Sequence, residues 1–202
     1  MGTSEAERRK LILDAARRLL SHYGPHKTTI AEIAREAAIG VGSVYLEFPS
    51  KEAIIGALSE LEHARILEAM ERAIAKKKAK NASFADQIAA ILDARVEMLL
   101  ERGGEGLHTK DLLHCGNPSV KDAQTRFEQS ERTLIARLLR EGIEAGELEV
   151  DDADRTAAAM LRAYAAFSAP KIFWEAEHEV REMLRAVHEL VKFGITRRVR
   201  RR

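Results

Sequence analysis

An all-α fold of about nine helices is what this sequence predicts. A short three-helix domain over residues 1–50 is followed by a larger helical domain over residues 51–202. The composition comes first: 46% hydrophobic and 32% charged residues with only four prolines in 202 leave long stretches free of helix breakers. Apolar residues also recur at the i, i+3, i+4 spacing that gives a helix one buried face. Finally, the predicted helix ends carry capping side chains, glycines or prolines.

The totals exclude several classes of function. Net charge is +1, so no global basic field points to nucleic acid. Residues 1–51 hold eight Lys and Arg against six Asp and Glu, a weak local footprint. The single cysteine, Cys115, rules out an internal disulfide framework and suits a reducing compartment. The N-terminal MGTSEAERRK has no apolar signal-peptide core. No run approaches the ~18–20 apolar residues of a membrane span, so no membrane partner is expected and the expected location is cytoplasmic.

The first helix opens at Ser4, where Glu7 completes a capping box. Leu11, Ile12, Ala15, Ala16, Leu19 and Leu20 recur along it at helical spacing, and it stops at Tyr23-Gly24-Pro25. Arg8, Arg9 and Lys10 are either phosphate contacts or a solvated helix face. Thr29 with Glu32 makes a second capping box. The helix that follows buries Ile30, Ile33, Ala34 and Ala37, breaks through Ala38, Ile39 and Gly40, and gives way to a second short helix carrying Gly42, Val44, Tyr45 and Phe48. Two helices joined by a tight turn form a helix-turn-helix, whose second helix fits a DNA major groove about 12 Å wide.

Thr28-Thr29, Ile33-Ala34, Gly42-Ser43-Val44-Tyr45, Phe48 and Ser50-Lys51-Glu52 resemble the DNA-binding region of TetR-family transcriptional regulators over roughly residues 8–56. That resemblance implies a DNA surface made by Thr28, Thr29, Val41, Gly42, Ser43, Tyr45, Leu46 and Lys51, with hydroxyls and the lysine cation meeting phosphates and base edges. Gly42, lacking a Cβ, lets a backbone approach either the duplex or the preceding helix. Two positions depart from the family. Gly40 stands where a polar turn residue is usual, and Leu46-Glu47 where His and an aromatic are frequent. Glu47 would repel a phosphate it faced, or accept from cytosine; Leu46 would meet a thymine methyl or simply pack.

Ser50 caps the next helix, whose apolar side runs from Ile54 to Ile74 and ends in the basic Lys76 to Lys80. This long helix is the expected lever between the two domains. Ser83 and Asp86 open another helix, which Gly103-Gly104 breaks. Leu107 to Cys115 is a short helix or irregular turn. Asn117-Pro118 restarts a helix that runs toward Gly146. Asp151-Asp152 opens the next, ended or bent at Pro170. The last carries Val180, Met183, Leu184, Val187, Leu190 and Val191.

The resemblance implies that the final two helices pair with those of a second copy, making a homodimer, and that the larger domain binds a small-molecule effector. His114, Cys115, Phe127, Tyr164, Phe167 and Trp174 are the candidate ligand contacts, each equally a core residue when taken singly. The spacing of His108, His114 and Cys115 matches no zinc motif, so no metal is assigned, and no cofactor is expected. Without paired carboxylates, a nucleophile–base set or a glycine-rich phosphate loop, no enzyme is predicted. The Arg197 to Arg202 tail is a solvated end. Together these point to a DNA-binding regulator, a homodimeric repressor released from a palindromic operator by a small ligand. The alternative is a helical ligand-binding or enzymatic protein with a degenerate DNA motif.

Overall fold

The computed structural model describes residues 4–103, 117–169 and 171–196. Among them run eight α-helices: α1 (Glu5–Tyr23), α2 (Ile30–Glu36), α3 (Val41–Glu47), α4 (Lys51–Lys78), α5 (Phe84–Gly103), α6 (Pro118–Glu144), α7 (Ala153–Ala163) and α8 (Glu177–Ile195). Two 3₁₀ turns, Tyr164–Phe167 and Lys171–Phe173, lie between α7 and α8. The predicted short helix at Leu107 to Cys115 falls outside the described residues, as do Pro170 and the arginine tail.

Local chemistry accounts for the helix ends. The Ser4 hydroxyl accepts from the Glu7 amide while Glu7 accepts from the Ser4 amide. Thr29 and Glu32 repeat the exchange at α2. Gly24 closes α1 at φ 80°, a left-handed conformation that glycine adopts without steric cost. Ser83 accepts from the Asp86 amide, and Asn117 from the Ser119 amide, at the starts of α5 and α6.

The turn between α2 and α3 departs from expectation. Its left-handed residue is Ala38, at φ 55°, whereas Gly40 is extended at φ −71°. The Ile39 amide donates to the Ala34 carbonyl at 3.0 Å and the Ala38 amide to the Arg35 carbonyl at 3.1 Å. This is the Schellman closure, which usually places glycine where Ala38 stands.

The chain divides into two compact units, and not at residue 50. Of the described residues, one unit holds 4–63 together with 101–103 and 117–125; the other holds 64–100, 126–169 and 171–196. The smaller unit needs more than three helices to close its core. Ile54, Ile55, Leu58 and Val120 join Ile12, Ala15, Ala16, Leu20, Ile33, Val44 and Phe48 in a single buried cluster. Gly56 makes the approach of α6 possible, because a Cβ there would lie 2.6 Å from the Ser119 Cβ.

The larger unit packs Ile88, Ile91, Leu92, Ile135, Leu138, Leu139, Met160, Tyr164 and Leu184 around its centre. It also buries Arg95 against Glu131, guanidinium to carboxylate at 3.0 Å, with Arg95 donating further to the Ser168 hydroxyl. Burial pushes the Glu131 carboxyl above its ordinary range, and Arg95 pulls it only part of the way back. The helix predicted to run to Pro170 stops at Ala163. Tyr164 and Phe167 both face the core, and a 3₁₀ turn stacks residues three apart on one line where an α-helix would offset them.

Candidate nucleic-acid interface

α3 is seven residues long and two-sided. Val44 is buried, and Val41, Gly42, Tyr45 and Leu46 are exposed. At 3.6 residues per turn those four fall within an arc of about 140°. Exposure is 43% at Val41, 54% at Tyr45 and 80% at Leu46. Leu46 therefore does not pack. At Gly42 a built Cβ would find nothing within 4 Å. Of the two approaches the sequence allows for this glycine, crowding by the preceding helix is excluded, and open space is left on the outward face.

The acidic residue of α3 is not on that face. The Glu47 side chain is 4% exposed, and its carboxylate accepts from Arg8 Nε at 2.6 Å. Arg8 thus spends its charge on Glu47, which joins α1 to the end of α3. The Arg9 guanidinium sits 4.2 Å from the centroid of the Phe48 ring, a cation–π arrangement. Two of the three basic side chains offered to phosphate, Arg8 and Arg9, are engaged in holding the recognition helix, and Lys10 is exposed.

Thr28 and Lys51 also take other places than the sequence suggests. Thr28 is 1% exposed, and its hydroxyl donates to the Gly24 carbonyl at 2.9 Å. Its side chain is removed from the surface and secures the loop before α2. Half-buried Lys51 donates to the carbonyls of Pro25 and Thr28 at 2.6 and 3.0 Å, tying the start of α4 to that same loop. An ammonium has three donors, so among the described residues one is left over. Thr29 is exposed at the α2 N-terminus and Ser43 half-buried on α3. Sequence patterning cannot show the loop-stapling role of Lys51 or the Arg8–Glu47 pair, because both span some 20–40 residues of chain.

In the larger unit, Phe127, Tyr164 and Phe167 are buried and Trp174 is exposed, so the proposed ligand contacts are not all brought together. His114 and Cys115 lie outside the described residues. The Tyr164 hydroxyl is 2.7 Å from His188 Nδ1, and His188 Nε2 is 2.8 Å from an Asp93 oxygen. With the Nε2 hydrogen donated to the carboxylate, Nδ1 accepts from the tyrosine. Burial raises the tyrosine hydroxyl's pKa and the Asp93 charge raises it further, so it remains the donor. This chain was not singled out in the sequence; its members are 24 and 95 residues apart.

α8 also has two apolar stripes. Val180, Leu184, His188 and Ile195 are buried, while Met183, Leu190 and Phe193 are exposed on an adjoining side.

A tight helix pair with an exposed second helix defines a helix-turn-helix DNA-binding protein. Residues 12–58 match the model of bacterial regulatory proteins of the tetR family. The chain is similar to the fatty acid metabolism regulator protein of Bacillus subtilis, 25% identical over 138 residues that span 68% of this chain and 69% of that one. It is similar to the transcriptional regulator UidR of Escherichia coli, 28% identical over 155 residues spanning 75% and 74%. Its fold is like that of the regulator FadR from Bacillus subtilis in complex with stearoyl-CoA, with a TM-score of 0.63 at 21% identity, covering 92% of this chain and 98% of that one. Residues 12–58 carry the tetR-type DNA-binding region, and the chain is a DNA-binding transcriptional regulator.

Proposed function

We propose that this regulator is a homodimeric repressor that leaves a palindromic operator when a small molecule binds its larger unit. The observation that carries the reading is the α3 face: four exposed residues with Gly42 unobstructed, braced at the end of the helix by Arg8 and Arg9. Thr29, Val41, Gly42, Ser43, Tyr45 and Leu46 form the contact surface. Thr28 and Lys51 hold its shape, with the spare Lys51 donor directed to phosphate. The pairing of Glu47 with Arg8 removes the feature that most favoured a degenerate DNA motif.

Dimerisation uses the exposed stripe Met183, Leu190 and Phe193 of α8, together with the small residues Ala159 and Ala163 of α7. Two half-sites about 34–36 Å apart then require two linked readers. The division of labour is an N-terminal DNA-binding domain and a ligand-binding and dimerisation domain, the latter lined by Phe127, Tyr164 and Phe167. The first effector class to test is long-chain acyl-CoA, on the strength of the stearoyl-CoA complex of the FadR relative. A ligand releases the operator only by binding the DNA-incompetent state more tightly; a full reversal from 99:1 to 1:99 needs ~5.5 kcal/mol of difference.

Selection of binding sites from random duplex DNA with purified protein, repeated across salt concentrations, tests the reading. The expected result is a palindrome whose affinity falls steeply with salt. Acyl-CoA added to that complex should release it. No enrichment from protein refolded to strip bound ligand would reject the regulator in favour of a degenerate motif.

A further inference from the structure

We infer that the recognition helix reads thymine by its C5 methyl group, with Val41 and Leu46 as the specificity-determining side chains. The inference rests on the DNA-binding reading above and deepens it. Each base pair shows the major groove a distinct set of donors and acceptors, and the thymine methyl is the apolar group among them. Guanine is chiefly read by Arg or Lys, adenine by Asn or Gln, and cytosine by Asp or Glu. The exposed face of α3 has none of these. Its single charged residue, Glu47, is turned away and neutralised by Arg8.

What α3 does present is Val41, Tyr45 and Leu46 around the bare backbone of Gly42. The hydroxyls of Ser43 and Tyr45 can donate or accept, so they do not choose one base over another. Discrimination therefore falls to the apolar side chains. Leu46 is 80% exposed and shares one exposed arc of α3 with Val41 and Tyr45. Val41 and Leu46 flank Gly42 on the same face, and without a side chain at Gly42 the helix can sink until both reach the base edges.

Uracil differs from thymine only by this methyl, which makes the test a chemical one. In the selected operator, each thymine is replaced singly by deoxyuridine and affinity is measured at one salt concentration. One or two positions in each half-site should lose about fourfold in affinity, the value of one buried methyl, and on the order of tenfold when both half-sites are changed together. Leu46→Ala and Val41→Ala should each abolish the sensitivity at one position while the salt dependence stays that of the parent protein. Both residues are exposed, so the variants should fold; circular dichroism checks this. Specific binding in which every deoxyuridine swap is neutral would overturn the inference and leave the DNA-binding reading intact. Failure to recover any operator would overturn both.

Discussion

The two units solve opposite problems with charge. In the smaller one, the ion pair Arg8–Glu47 lies at the edge of a small apolar core and clears the outward face of α3 of charge. In the larger one, Arg95 and Glu131 are buried together, and so is His188 with its partner Tyr164. A surface that meets an external partner is shaped by what is taken off it. A core that carries charge is shaped by the need to satisfy every group. The same contrast holds between α3 and α8, each with one stripe inside and another outside. The α3 stripe is short and opens onto a glycine and two hydroxyls, suited to a groove. The α8 stripe, from Met183 to Phe193, extends about 15 Å along the helix and suits another helix.

The largest effect should come from breaking the α8 stripe. Leu190→Glu with Phe193→Glu should yield a folded monomer by sedimentation, and operator affinity should fall by about 10²–10⁴-fold with the loss of linked half-sites. A double variant that remains dimeric would place the dimer contact elsewhere.

Next is the buried pair of the larger unit. Glu131→Leu strands the Arg95 charge and should cost about 3–5 kcal/mol in denaturant unfolding, whereas Glu131→Leu with Arg95→Met should recover most of that loss. The pH dependence follows from the raised carboxyl. Between its unfolded value and its higher folded value, the folded state holds more protons. Stability therefore declines as pH rises through that window. In the double variant this decline should disappear.

Two small substitutions separate stability from recognition. Gly42→Ala meets no atom within 4 Å, so it should raise stability by up to about 1 kcal/mol while weakening operator binding, since in the proposed docking the new methyl would stand in the path of the DNA. Equal affinity would show that the duplex does not come close at that point. Ala38→Gly relieves a left-handed alanine and should add roughly 0.5–1 kcal/mol without changing affinity. The measurement is paired thermal melts and binding titrations.

Much of this was legible in the residues alone, and the reason is locality. Capping boxes at Ser4 and Thr29, the stop at Gly24 and the restart at Asn117 all act within four residues. Helical periodicity and turn chemistry are likewise properties of a short window, so the helix order and the helix-turn-helix were written in the sequence. The domain boundary was not, because Val120 enters the small core from far along the chain. Nor were the roles of Glu47 and Lys51, each decided by a partner more than 20 residues away along the chain. Whether a polar side chain faces a ligand or the protein's own backbone depends on which groups folding brings within hydrogen-bond reach, and only the tertiary structure decides that.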